Sequence, residues 1–225
     1  SFSTIVKAIQ WGRGIYENFQ RFILFQLTVN LSSVVVVIVS LIAGFPTPFT
    51  ALQLLWVNLI MDGPPALTLS LEPIRGSLMN NKPTPRDAGI VTREMLARIV
   101  FSGLYISVVF MAQTMTNFLG AAPDEKGTVL FTLFVMFQLM NAFSCRELSH
   151  ESVLRHFFDN KLMLIAFFFT FLLQYVISQY GGRVFGTVPM SSDMWIKITL
   201  LSVSVVVASE LFKLGAAIWQ KFRKA

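Results

Sequence analysis

Apolar residues in this chain come in six long runs, and polar residues are confined to the shorter segments between them. The runs cover about Phe22 to Ile42, Phe49 to Leu71, Met95 to Phe118, Thr128 to Arg146, Lys161 to Tyr180 and Trp195 to Trp219. Each is close to the ~20 residues that an α-helix needs to cross ~30 Å of hydrocarbon. Ahead of the first run, Ile5, Ile9, Gly12, Ile15 and Phe19 recur at helical spacing, with Lys7, Arg13, Glu17 and Arg21 between them. That pattern extends the first helix out of the membrane as a cytoplasmic stalk. Gly44-Phe45-Pro46-Thr47-Pro48 is an uncharged tight turn that returns the second run antiparallel to the first. Pro73, Gly76, Pro83, Pro85 and Gly89 bar a continuous helix from 72–93. The pattern therefore predicts an all-α, polytopic membrane protein with six transmembrane helices. Three regions are expected: a stalk plus helical hairpin over 1–71, a cytoplasmic loop over 72–93, and a four-helix membrane support region over 94–225.

Composition fits a lipid bilayer as solvent. The chain is 54% hydrophobic and 13% charged, too little charge to solvate a soluble domain of 225 residues. A net charge of +6 raises nucleic acid as a partner, but the basic residues are scattered through the loops and never massed with aromatics, which excludes that class. Their placement follows the positive-inside rule. Lys7, Arg13, Arg21, Arg75, Lys82, Arg86, Arg93, Arg155, Lys221, Arg223 and Lys224 fall on one side, against Lys126 and Arg183 on the other. Both termini are thus expected in the cytoplasm. Cys145 is the single cysteine and has no partner at metal-ligand spacing, so it reads as packing. No signal-peptide pattern opens the chain, and its abrupt start reads as a cut.

A few residues are expensive at membrane depth. Asp62 sits inside the second run, Asn58 lies one turn before it on the same helical face, and Gly63-Pro64-Pro65 follows. Prolines remove backbone donors and disfavour helix for the residue ahead of them, so the second helix is expected to unwind near Asp62 and free local carbonyls. A carboxylate, an amide oxygen and freed carbonyls form the hard oxygen set that Ca²⁺ prefers, and broken helices at this depth line ion sites. The alternative is that Asp62 caps a kinked helix or pairs with a basic residue. Asn30, Ser32, Ser33, Gln138 and Asn141 are further polar groups at similar depth, each also able to serve as interhelical glue. Glu210, with Lys213 three residues on, reads as a structural ion pair ahead of a ligand.

Several segments resemble the fifth and sixth membrane helices of type II P-type calcium ATPases. They are Ile5-Val6-Lys7-Ala8-Ile9 with Trp11-Gly12-Arg13, Phe25-Gln26-Leu27-Thr28-Val29-Asn30, and Gln53 through Ala66 with Glu72-Pro73. Resemblance then runs in order through the tenth helix. It implies Asn58 and Asp62 as metal ligands, with Asn30 as a further candidate, in a site shared with a helix outside this chain. It also implies that a second ion site, present in two-ion relatives, is altered here at Ser33, Met61 and Gln138. Loss of two carboxylates and a hydroxyl leaves that site short of ligand charge, so one Ca²⁺ per cycle is expected. This second-site pattern is similar to plasma-membrane-type pumps, whereas Gly63-Pro64-Pro65 is closer to secretory-pathway and prokaryotic relatives. The chain contains no Asp-Lys-Thr-Gly phosphorylation motif and no nucleotide-binding domain. By resemblance, Mg²⁺ and ATP act only through domains absent from it, and alone it should be inactive. Its expected partners are Ca²⁺, the lipid bilayer, and the N-terminal helices and cytoplasmic domains of the same pump. A passive cation channel or secondary exchanger is the competing class; an inverted repeat would favour it, and none is visible.

Overall fold

The computed structural model describes residues 1–224. Ala225, the last residue of the expected 94–225 region, lies outside them, as do the side chains of Arg223 and Lys224. The helices are α1 (Phe2–Ile42), α2 (Ala51–Asp62), α3 (Pro64–Leu69), α4 (Arg93–Thr116), α5 (Lys126–Ser144), α6 (Lys161–Tyr180), α7 (Gly182–Phe185) and α8 (Ser192–Lys224). Short 3-10 turns occupy Gly76–Asn80 and Val153–His156, and no strand occurs among the described residues. Five helices, α1, α4, α5, α6 and α8, are long and apolar enough to cross a membrane. The second apolar run is divided between α2 and α3, with the break at Gly63.

Local chemistry sets these boundaries. At 1.5 Å per residue the 41 residues of α1 reach about 60 Å, roughly twice the hydrocarbon thickness, so its polar N-terminal half, the expected stalk, is more than one crossing needs. Just past the end of α1 comes Gly44, whose φ of +76° an L side chain rarely adopts, and Phe45 N–H closes the turn onto Ser40 O at 2.9 Å. Thr50 and Gln53 then form a capping box that starts α2. Thr92 and Asn160 cap α4 and α6 by accepting from the N–H groups of Met95 and Met163.

α5 is the hub. Phe131, Leu133, Phe134, Val135, Met136 and Phe137 have no solvent exposure, because α8, α4 and α6 pack around them. A helix apolar on every side is stable only when enclosed in this way. α1 lies along α4, and at Gly103 the approach is so close that an added Cβ would sit 2.8 Å from a Leu31 methyl carbon. Phe168 and Phe169 point outward with other large apolar side chains of α6 and α8, the surface a bilayer would cover, whereas Phe167 packs against Phe143 with tilted rings whose centroids are 4.7 Å apart.

The loop end is tied by buried polar groups. The Arg146 guanidinium, just beyond α5, meets the Glu72 carboxylate at 3.0 Å, with both side chains almost fully buried. Its remaining donors reach the carbonyls of Phe157 and His156, both at 2.9 Å. Asn160, at the start of α6, donates to Glu72 at 2.7 Å and to Thr68 O. From the stalk, Asn18 donates to the carbonyls of Ser70 and Glu72, and Arg21 Nε to Arg146 O at 2.8 Å. Nearby, Arg98 donates to Ser144 O and Glu147 O, and Arg75 pairs with Glu147 at 2.6 Å. Stalk, α3, α5 and α6 therefore share one junction.

Two outcomes follow from it. Removing one partner of a buried ion pair leaves an uncompensated charge, which costs ~3–5 kcal/mol. Glu72→Ala should accordingly lower the unfolding midpoint in detergent sharply, and an unchanged midpoint would refute the junction. Burial works against ionisation of Glu147, yet hydrogen bonds from Arg75 and Ser149 and the Arg75 charge outweigh it and hold the carboxyl below its ordinary range. A carboxyl that releases its proton more readily when folded contributes stability above the ~4.3 of an unfolded glutamate, and that contribution fades as pH falls through the lower folded value. Wild type should thus unfold later than Glu147→Gln at neutral pH, with the gap closing below about pH 4; thermal unfolding across pH measures this.

Candidate functional site

Asp62 is the last residue of α2, and both it and Asn58, one turn earlier, are exposed on the side of the hairpin that this chain leaves uncovered. Gln26 of α1 donates from Nε2 to Asp62 Oδ1 at 2.6 Å. Asn30, one turn beyond Gln26, is exposed as well, and Ser33 is half-buried with its hydroxyl turned onto Val29 O. α1 and α2 together thus present amides and one carboxylate at a depth where lipid offers no hydrogen bonds. Among the described residues, Asp62 forms no ion pair, and Gln26 is its one side-chain partner.

The backbone adds oxygen atoms. Pro64 and Pro65 carry no N–H, so the carbonyls of Ile60 and Met61 have no donor four residues on. Gly63 turns the chain with φ −81° and ψ −113°, and its N–H closes on Leu59 O at 3.1 Å. A Cβ there would lie 2.9 Å from that carbonyl, which explains the glycine. The donors are therefore hard oxygens: one carboxylate, side-chain amides and unpaired carbonyls, a set suited to Ca²⁺. No three His, Cys, Asp or Glu side chains converge among the described residues, so the carboxylate that Asp62 supplies is not part of a cluster of three such groups. A cavity of ≈ 550 Å³ lies between stalk and loop, lined by Arg13, Tyr16, Glu17, Gln20, Leu78 and Lys82.

Of the residues expected at an altered second site, Met61 and Gln138 do not join this face. Met61 is fully buried in the apolar core. Gln138, also fully buried, donates from Nε2 to Ser32 Oγ at 2.7 Å, while its Oε1 and the nearby Asn141 Nδ2 have no partner. Glu210 pairs with Lys213 at 2.5 Å and accepts from Val153 N–H, so it ties α8 to the connection between α5 and α6. Nothing in the sequence singles out Gln26, although its place four residues before Asn30 puts the two on one helical face.

Residues 46–215 match the family described as "Cation transporting ATPase, C-terminus". The chain is 34% identical over 220 residues to plasma membrane calcium-transporting ATPase 3 of Homo sapiens, an alignment covering 92% of this chain and 18% of that protein. It is 34% identical over 215 residues to probable calcium-transporting ATPase 6, plasma membrane-type, of Oryza sativa, covering 92% and 21%. Against calcium-transporting ATPase 1 of Yarrowia lipolytica it is 33% identical over 215 residues, covering 94% and 23%. The chain thus spans about a fifth of the length of the curated relatives it matches.

The Gln138–Ser32 bond supports an asymmetric expectation. Ser32→Ala strands a buried Nε2 without an acceptor and should cost ~1–3 kcal/mol, whereas Gln138→Met removes a donor together with an already unpartnered oxygen and should cost less. Equal losses in a thermal unfolding comparison would contradict the assigned geometry.

Proposed function

The chain belongs to the family of cation transporting ATPase C-terminal regions, and from that premise we propose that it is the transmembrane ion-transport half of an ATP-driven calcium pump. One observation carries the reading. Asp62, beside a helix break and without a cationic partner among the described residues, is presented with Asn58 and Asn30 on a face that this chain alone leaves open. A lone carboxylate at membrane depth is costly, by ~2.5–3.5 kcal/mol on insertion scales, unless a cation or further protein meets it. The transported ion is the cargo that neutralises it. Asp62 supplies the charge, Asn58 a neutral oxygen and Asn30 a further one, and helices preceding this chain in the pump complete the shell. Phosphorylation and nucleotide chemistry belong to domains outside the chain, so alone it is inactive.

One Ca²⁺ per cycle is the stoichiometry this site supports. Gln138 engages Ser32, Met61 faces the apolar core, and Ser33 bonds its own helix, so none of the three brings negative charge to a second ion. The regions act as a unit: 1–71 carries the ion, 72–93 meets the phosphorylation domain on the cytoplasmic side, and 94–225 is the support, with both termini cytoplasmic. Transport would then tilt the stalk and work the Gly63 break between two states of access.

The test is ⁴⁵Ca²⁺ binding and ATP-driven vesicle uptake by the full-length parent at matched expression. Asp62→Asn should abolish both, and Gln138→Ala should retain binding at one ion per phosphoenzyme. Normal transport by Asp62→Asn would make Asp62 structural, and two ions per phosphoenzyme in wild type would overturn the single-ion reading.

A further inference from the structure

We infer that Gln26 is an additional member of the ion site, and that its amide is a placeholder which exchanges roles when the cation arrives. The inference rests on the transport reading of Asp62 given above. Gln26 Nε2 lies 2.6 Å from Asp62 Oδ1, a donor on an otherwise unpaired carboxylate. A charge-assisted hydrogen bond of this kind is among the stronger ones available to a side chain, and it offsets part of the cost of a bare charge at membrane depth. A divalent cation on Asp62 takes the same lone pairs, so it displaces that N–H.

The displaced side chain has an obvious second use. Rotation about its last side-chain bond, which has broad two-fold preferences, replaces Nε2 with Oε1 at almost the same point in space. Oxygens that coordinate one calcium ion at 2.3–2.6 Å from it stand roughly 3 Å apart, so an oxygen this near Asp62 is within a shared shell after a small outward shift. Gln26 thus donates to Asp62 when the site is empty and ligates the ion when it is full. The empty site stays neutral in its hydrogen bonding, and the full site gains an uncharged oxygen. Its position serves this: Gln26, Asn30 and Ser33 follow one another at helical spacing on α1, and Asn58 and Asp62 do so on α2. The partly exposed Gln26 lies beside fully buried Phe25, so a substitution at 26 alters the open face and leaves the core packing in place.

The experiment is equilibrium ⁴⁵Ca²⁺ binding to the full-length parent in the absence of ATP, across pH, for wild type, Gln26→Leu, Gln26→Glu and Asp62→Asn. Gln26→Leu should raise the half-saturating Ca²⁺ concentration about tenfold or more, because the lost ligating oxygen outweighs the relief from the competing N–H. Gln26→Glu restores an oxygen and adds a charge. It should recover binding at least to the wild-type level at alkaline pH and make affinity steeper with pH, because two adjacent carboxyls must both be deprotonated. If Gln26 only glues α1 to α2, both variants will share the wild-type affinity and pH profile and differ in thermal stability alone, which would overturn the inference. If Asp62→Asn binds like wild type, the site itself is misassigned, and the role of Gln26 falls with it.

Discussion

The pairing of Glu72 with Arg146 is the contact on which the architecture depends. Two charges with side chains only 1–2% exposed survive burial because they meet each other and are further engaged by Asn160 and the carbonyls of His156 and Phe157. Such a pair is worth little as net stabilisation against an apolar substitute, but it demands a geometry that no neighbouring register reproduces. It places the end of α3 against the end of α5 and the start of α6, and Asn18 and Arg21 dock the stalk on the same knot through backbone carbonyls. Apolar helices in lipid slide past one another at little cost, since the tails are as apolar as the side chains. Polar knots supply the register that greasy surfaces leave open.

The two ends of the hairpin are opposites in this respect. At the loop end, charge is enclosed and satisfied. At Asp62, charge is exposed, with one amide for company and carbonyls left unpaired by Pro64 and Pro65. Rigidity at the first end makes the second usable: Asn160 anchors the chain beyond the break at Thr68 O and at the Glu72 carboxylate, so distortion at Gly63 is concentrated between a fixed segment and α2. Membrane proteins tolerate irregular backbone only where protein or a polar cavity receives it. An open face of this composition is consistent with further helices of a longer pump closing over it.

Much of the fold was legible in the chain because lipid imposes a simple rule. Twenty apolar residues in a row have one economical conformation, so the runs at 95–118, 128–146, 161–180 and 195–219 coincide closely with α4, α5, α6 and α8. The proline pair after Asp62 carried its meaning in sequence too, since a missing N–H is a covalent fact. Gln26 and Arg146 show where that legibility ends. Neither residue type announces a partner: Gln26 meets a carboxylate 36 positions away, and Arg146 one 74 positions away. Arg146 sits at the end of an apolar run and reads as an ordinary interfacial cation until the loop is seen folding back over it.

The sequence by itself therefore determined the solvent, the helical class, the place of the break and the chemistry of the candidate ligands, because each depends on local composition and covalent structure. Only the tertiary structure decided that Gln138 spends its amide on Ser32, that Met61 turns into the core, and that Gln26 attends Asp62. Those outcomes hinge on which faces of distant helices meet. Helical periodicity states which residues share a face, and it is silent on what that face will touch.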